Sequence, residues 1–128
     1  MMKRHEARQK ALQVLFQLDN TELSIEEAIQ HVLEGEKSDT FFETLINGTL
    51  TNKTNIDEQL EVQLENWKLS RLPKLERTVL RLAVYELMYN EDAPSKVVIN
   101  EAIELCKTFG DEKSAKFVNG VLSKFTKA

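Results

Sequence analysis

The chain has 128 residues, 41% hydrophobic and 30% charged, a balance that suits one folded domain and excludes an intrinsically disordered chain, in which charge outweighs bulky apolar residues. Four glycines and two prolines are its only strong breakers, which favours long helices joined by short loops over many strands joined by turns. The net charge of −4 argues against a nucleic-acid partner until its distribution is read: residues 1–18 hold four Lys/Arg against one acid, residues 19–66 two against twelve, and residues 67–128 eleven against eight.

The expected fold class is all-α, a compact bundle of six or seven helices forming one domain over residues 1–128. The first helix runs from about Arg4 to Leu18, with Ala7, Ala11, Val14, Leu15 and Leu18 recurring on one face. A second follows Ser24, an N-cap with Glu27 as its capping-box partner, and ends at Gly35. The stretch from Asp39 to Asn66 carries Phe41, Phe42, Leu45, Ile46, Leu50, Ile56, Leu60 and Leu64, and its polar patch at Asn52 to Asn55 divides it in two. A short irregular connection is expected between Trp67 and Pro73, because the residue before a proline is pushed away from helical geometry.

Pro73 then opens a central helix to Tyr89, apolar on most sides. The next starts at Pro94 or Ser95, despite the strand-like Val97-Val98-Ile99 run, and Gly110 is expected as its left-handed cap. Asp111 or Ser114 caps the last helix, which carries Phe117, Val118, Val121, Leu122 and Phe125, with Gly120 expected to permit close helix packing.

No catalytic constellation emerges. The chain lacks a phosphate-binding glycine loop and a dinucleotide fingerprint, and its single cysteine, Cys106, sits among Ile103, Leu105 and Phe109 as a small hydrophobe. Glu27 and His31 share a helix face but not the three-residue spacing of di-metal bundles. Glu61 and Glu65 read as a solvated acidic face. Neither an enzyme nor a metal or other cofactor is expected. With no signal-like N-terminus, no apolar span and no cysteine pair, the expected location is the cytoplasm, without membrane association.

The N-terminus is more informative. Arg4 and Arg8 lie on one edge of the first helix, with His5, Leu12 and Phe16 in a neighbouring sector. Guanidinium groups for phosphate beside a ring for a splayed base are what single-stranded RNA requires. The same spacing also allows Phe16 to be core. Lys116 and Phe117 repeat the pairing of cation and aromatic on the last helix.

Four ordered segments, ARQKALQVLF (7–16), LRLAVYEL (80–87), VVINEAIEL (97–105) and KFVNGVL (116–122), closely resemble the NusB family of bacterial transcription antitermination factors. The resemblance spans the chain and implies two packed helical subbundles. It also implies pairing with NusE, a small-subunit ribosomal protein, binding of boxA RNA in nascent ribosomal RNA, and action on the RNA polymerase antitermination complex. The family's RNA surface matches Lys3, Arg4, Arg8 and Phe16, with Glu76, Arg77, Lys116 and Phe117; Lys10 points in a different helical direction. His5 and Glu6 interrupt the basic arm, so modest phosphate affinity without the protein partner is expected.

On electrostatic grounds alone, a basic partner is expected on Glu58, Glu61 and Glu65. A homodimer that hides the basic face is an alternative state. A NusB-like domain also fronts RNA cytosine methyltransferases, for which this chain is expected to be too short. Two rival functions use the same features: a helix-turn-helix DNA-binding regulator, favoured by preference for duplex DNA, and a protein-bridging helical module in which the arginines are solvated.

Overall fold

The computed structural model describes residues 2–19, 21–90 and 93–125. Among them are seven α-helices and no strand: α1 Arg4–Leu18, α2 Ile25–Leu33, α3 Thr40–Thr51, α4 Lys53–Gln63, α5 Lys74–Tyr89, α6 Ser95–Phe109 and α7 Glu112–Ser123. A 3₁₀ turn, Leu69–Arg71, lies in the connection between α4 and α5.

Local chemistry sets these boundaries. Ser24 and Glu27 form the reciprocal capping box that starts α2, with both hydrogen bonds at 3.1 Å. The helix stops where Glu34 takes φ +50° and Gly35 φ +89°, a left-handed reversal that suits glycine best. Asp39 caps α3 by accepting from the Phe41 and Phe42 amides, Asn52 alone separates α3 from α4, and Asp111 starts α7 by accepting from the Ser114 amide at 2.8 Å.

Two packed subbundles result. In one, α1 packs on α2 and α3; in the other, α5 packs on α4, α6 and α7. Contacts of α5 with α1 and α3 join the halves, so the central helix is buried on several sides, with Val79, Leu80, Leu82 and Val84 in one core with Leu12, Phe42, Leu45 and Leu122. Among the described residues no helix is long and apolar enough to cross a membrane.

Two glycine expectations need correction. Gly110 ends α6 at φ −134° and is not left-handed; what it provides is room, since a Cβ there would lie 2.7 Å from Leu75 Cδ2 and 2.9 Å from the Cys106 carbonyl. Gly120 does not mediate close packing, because a Cβ there would meet nothing within 4 Å. That role belongs to Gly48 on α3, whose added Cβ would fall 2.2 Å from the Tyr85 ring of α5.

Candidate nucleic-acid interface

The first turns of α1 divide the expected basic edge. Lys3 and Arg4 are exposed, and the Arg4 guanidinium lies 3.9 Å from the centroid of the Phe41 ring on α3, a cation–π contact that leaves charge available at the surface. Arg8, expected beside Arg4 on an exposed edge, is instead only 4% exposed. Its Nε and Nη2 donate to the two carboxylate oxygens of Glu86 at 2.8 and 2.9 Å, and Nη1 lies 3.8 Å from Glu101. Burial opposes the Arg8 charge, but the hydrogen bonds and charge of Glu86, with that of Glu101, more than offset it and hold its pKa above the ordinary value. The physical reason for the misplacement is the acid on α5: a buried carboxylate at position 86 draws the guanidinium inward.

Lys10 is drawn into ion pairs with Glu36 and Glu6. His5 Nδ1 meets Glu101 Oε1 at 2.8 Å, which ties the outer edge of α1 to α6.

Phe16 stands about 18 Å from Arg4 along the helix axis, and it is on the surface, 37% exposed. Lys74, at the start of α5, places its ammonium 4.4 Å from the Phe16 ring centroid. Phe16, Leu12, Gln13, Gln17, Leu75 and Phe109 line a groove of about 340 Å³, so the end of α1, the first turn of α5 and the end of α6 share one wall.

Glu76 and Arg77 follow on the same turn of α5 and are both half-buried. Burial, followed by the charge of Asp111, pushes the Glu76 carboxyl above the ordinary range, while the 3.4 Å hydrogen bond from Ser114 and the charge of Lys113 act in the opposite direction. Arg77 binds Asp19 through Nη2 at 2.6 Å and donates from Nη1 to the Leu72 carbonyl. A phosphate reaching Arg77 therefore competes with an internal carboxylate.

On α7, Lys116 is exposed and Phe117 half-buried, with the Phe117 ring meeting Trp67 edge to face at 6.3 Å. The structure thus brings Phe16, Glu76 and Arg77 into one neighbourhood, joined to α7 through Ser114, and leaves Arg4 at the far end of α1 beside α3. Glu58, Glu61 and Glu65 are all exposed, but Glu61 accepts from the Leu69 amide and Glu65 pairs with Lys124.

Cys106 is buried, and burial, then the charges of Glu76 and Asp111, push its thiol up to about 12. It is protonated at neutral pH, which removes it as a nucleophile. Among the described residues no cluster of three or more His, Cys, Asp or Glu is placed to hold a metal ion.

The sequence and its two-subbundle fold have clear relatives. The model of the NusB family matches residues 5–127. The chain belongs to the NusB family. It is 65% identical over 125 residues to the transcription antitermination protein NusB of Lysinibacillus sphaericus, covering 98% of each chain, and 54% identical over 122 residues to that of Bacillus subtilis, covering 95% of this chain and 93% of the other. Among solved structures it is similar to Thermotoga maritima NusB, with TM-score 0.87 at 36% identity, covering 97% of this chain and 90% of that one. It is also similar to a chain in a crystal structure of the antitermination factors NusB and NusE in complex with dsRNA, with TM-score 0.85 at 31% identity and 97% of both chains covered.

Beside its NusB-type motifs the chain places three residues that sequence reasoning did not count toward a site. Lys74 was legible only as a helix-start residue, and Phe109 as a neighbour of Cys106. Trp67 fell in the irregular connection, where its one available signal was a large aromatic with no helical stripe to join.

Proposed function

We propose that this chain acts, as one domain over residues 1–128, as a transcription antitermination factor that binds single-stranded boxA-type RNA together with the ribosomal protein NusE in the cytoplasm. It then assists RNA polymerase during ribosomal RNA transcription, without a catalytic step of its own. The observation that carries this reading is the full-length match to transcription antitermination proteins and to a NusB chain solved with NusE and RNA. The geometry supports the RNA half of it: exposed Lys3, Arg4 and Lys116 offer charge to phosphate, the accessible Phe16 ring and part of Phe117 offer apolar surface, and Glu76 offers an acceptor to base edges. Arg77 contributes to the extent that phosphate displaces Asp19. Arg8 acts through the fold, by fixing α1 on α5. NusE, as a basic partner, docks on the acidic face formed by Glu58 and Glu61 of α4 and by Glu65 just beyond its end.

The test is binding of a short boxA-type RNA, a scrambled strand and an RNA duplex, with and without NusE, to wild type and to a Lys3→Ala/Arg4→Ala variant. The expected result is selective single-strand binding that strengthens with NusE and weakens in the variant, with a shallower salt dependence. The duplex arm matters because one solved relative was captured with dsRNA. Preference for duplex would replace the single-strand reading, and absence of selectivity in every combination would leave a protein-bridging module.

A further inference from the structure

We propose that Trp67 is an additional base-stacking surface for RNA, continuing the track beyond Phe117; the inference rests on the RNA-binding reading above. Trp67 is the only tryptophan of the chain, and it is 58% exposed, an unusual position for a residue of its size unless the ring is used. It does not hang from a loose loop. Its amide donates to the Leu64 carbonyl, and just beyond it the Leu69 amide is held by Glu61 and the Arg71 amide by the Lys68 carbonyl.

The ring meets Phe117 at an interplanar angle of 77°. In an edge-to-face pair, whichever ring supplies the edge, only one of the four aromatic faces is used by the pair itself. Because Trp67 is the more exposed partner, an apolar face remains open to an incoming base.

The surroundings fit an unpaired base better than a protein side chain. Glu65, Asn66, Trp67, Phe117, Gly120 and Lys124 border a hollow of about 260 Å³, with the Glu65 carboxylate neutralised by Lys124. The hollow is open on the Gly120 side, where an added Cβ would meet nothing within 4 Å beyond its own stretch of helix. Lys68 and Lys116 are exposed, each next in sequence to one of the two rings, and neither joins an ion pair among the described residues. Cations flanking stacked aromatics are the elements of a single-strand track, whereas lysine is depleted from protein–protein interfaces. Glu65 holds Lys124 at 3.1 Å, so the phosphates run on the Lys68 and Lys116 side and the base lies over Trp67. The Asn66 amide, with both donor and acceptor, borders the same hollow.

A unique tryptophan makes the test direct. Short single-stranded boxA-type RNA is titrated into the full chain while Trp67 emission is followed, and affinity is measured separately with labelled RNA for wild type, Trp67→Ala and Trp67→Phe. The expected result is quenching that saturates with RNA binding, about 5- to 100-fold weaker binding for Trp67→Ala, and substantial recovery for Trp67→Phe, with unchanged thermal unfolding midpoints. If Trp67→Ala binds RNA like wild type and the emission is unmoved, while Lys3→Ala/Arg4→Ala loses affinity, the stacking role is wrong and the RNA reading stands. If wild type binds no RNA, both fail together. If Trp67→Ala weakens binding of NusE and leaves RNA affinity unchanged, the surface is a protein contact and the proposal is overturned. Should Trp67→Ala prove unfolded, Trp67→Leu, which keeps apolar bulk on Phe117 and removes the broad ring, decides by the same affinity comparison.

Discussion

Two regions of the molecule treat charge and aromatic surface in opposite ways. Where α1, α3, α5 and α6 meet, a guanidinium is interior: Arg8 is sealed against Glu86, with its Cζ 5.3 Å from the Phe41 ring. Two turns later on the same helix, Phe16 is at the surface and Lys74 covers one side of it. The difference lies in the partners across the gap. A carboxylate on α5 makes the first location comfortable for a cation, whereas the first turn of α5 offers the second a cation, Lys74, and Leu75 in the wall of an open groove. Helical periodicity places a residue on a face, and the opposite element decides whether that face is sealed.

The sharpest way to break this comparison is to remove Arg8. Arg8→Ala leaves Glu86 buried and uncompensated and is expected to cost about 3–5 kcal/mol in denaturant unfolding. Arg4→Ala, at the exposed site, is expected to stay within about 1 kcal/mol. The double variant Arg8→Met/Glu86→Leu should recover most of the loss, because apolar replacement of a whole buried pair is often neutral or stabilising. Equal losses for Arg4→Ala and Arg8→Ala would mean that the buried pair is not what fastens α1 to α5.

A second contrast uses glycine. Gly48→Ala drives a methyl into Tyr85 at the same junction and is expected to destabilise by about 1–3 kcal/mol. Gly120→Ala, on the open side of α7, is expected to stabilise by up to about 1 kcal/mol. Thermal unfolding of the two variants checks the signs.

The smallest effect concerns Asp19, the residue that caps the end of α1 just past Phe16. Burial raises its pKa, but hydrogen bonding to Arg77 and the charges of Arg77, Arg81 and Lys53 outweigh it, and the net shift is downward. A carboxylate depressed in the folded state adds stability above its unfolded pKa, and that stability is lost as pH falls through the folded value. Asp19→Asn should therefore flatten the acid limb of stability against pH. At neutral pH the same variant releases Arg77, and its RNA affinity is expected to rise slightly. An unchanged acid limb would assign that pH dependence to other carboxylates.

Much of the fold was legible because its signals are local. The α1 boundaries, the Ser24–Glu27 box, the break at Asn52 and the Pro73 start follow from spacing and capping chemistry. The site was legible only in part. Lys3, Arg4 and Lys116 are exposed as their charge suggests, and the structure decides the open question of Phe16 in favour of the surface. The burial of Arg8 depends on Glu86, 78 positions away, and the partnership of Trp67 with Phe117 depends on how a loop meets α7. Pairings of that kind have no periodicity to betray them. The Gly110 and Gly120 expectations failed for a related reason: a glycine shows what backbone is allowed, and its neighbours determine whether the room is needed.

In the proposed complex, RNA lies across Phe16 and Phe117. The most direct measurement is photo-crosslinking of boxA-type RNA carrying 4-thiouridine to the wild-type chain with NusE, with the attachment sites mapped by mass spectrometry. Crosslinks at Phe16 and Phe117, and none in the core around Phe42, are the predicted result. RNA that is bound and crosslinks efficiently, but only to the acidic outer face of α4 and never to the α1 or α7 aromatics, would contradict it.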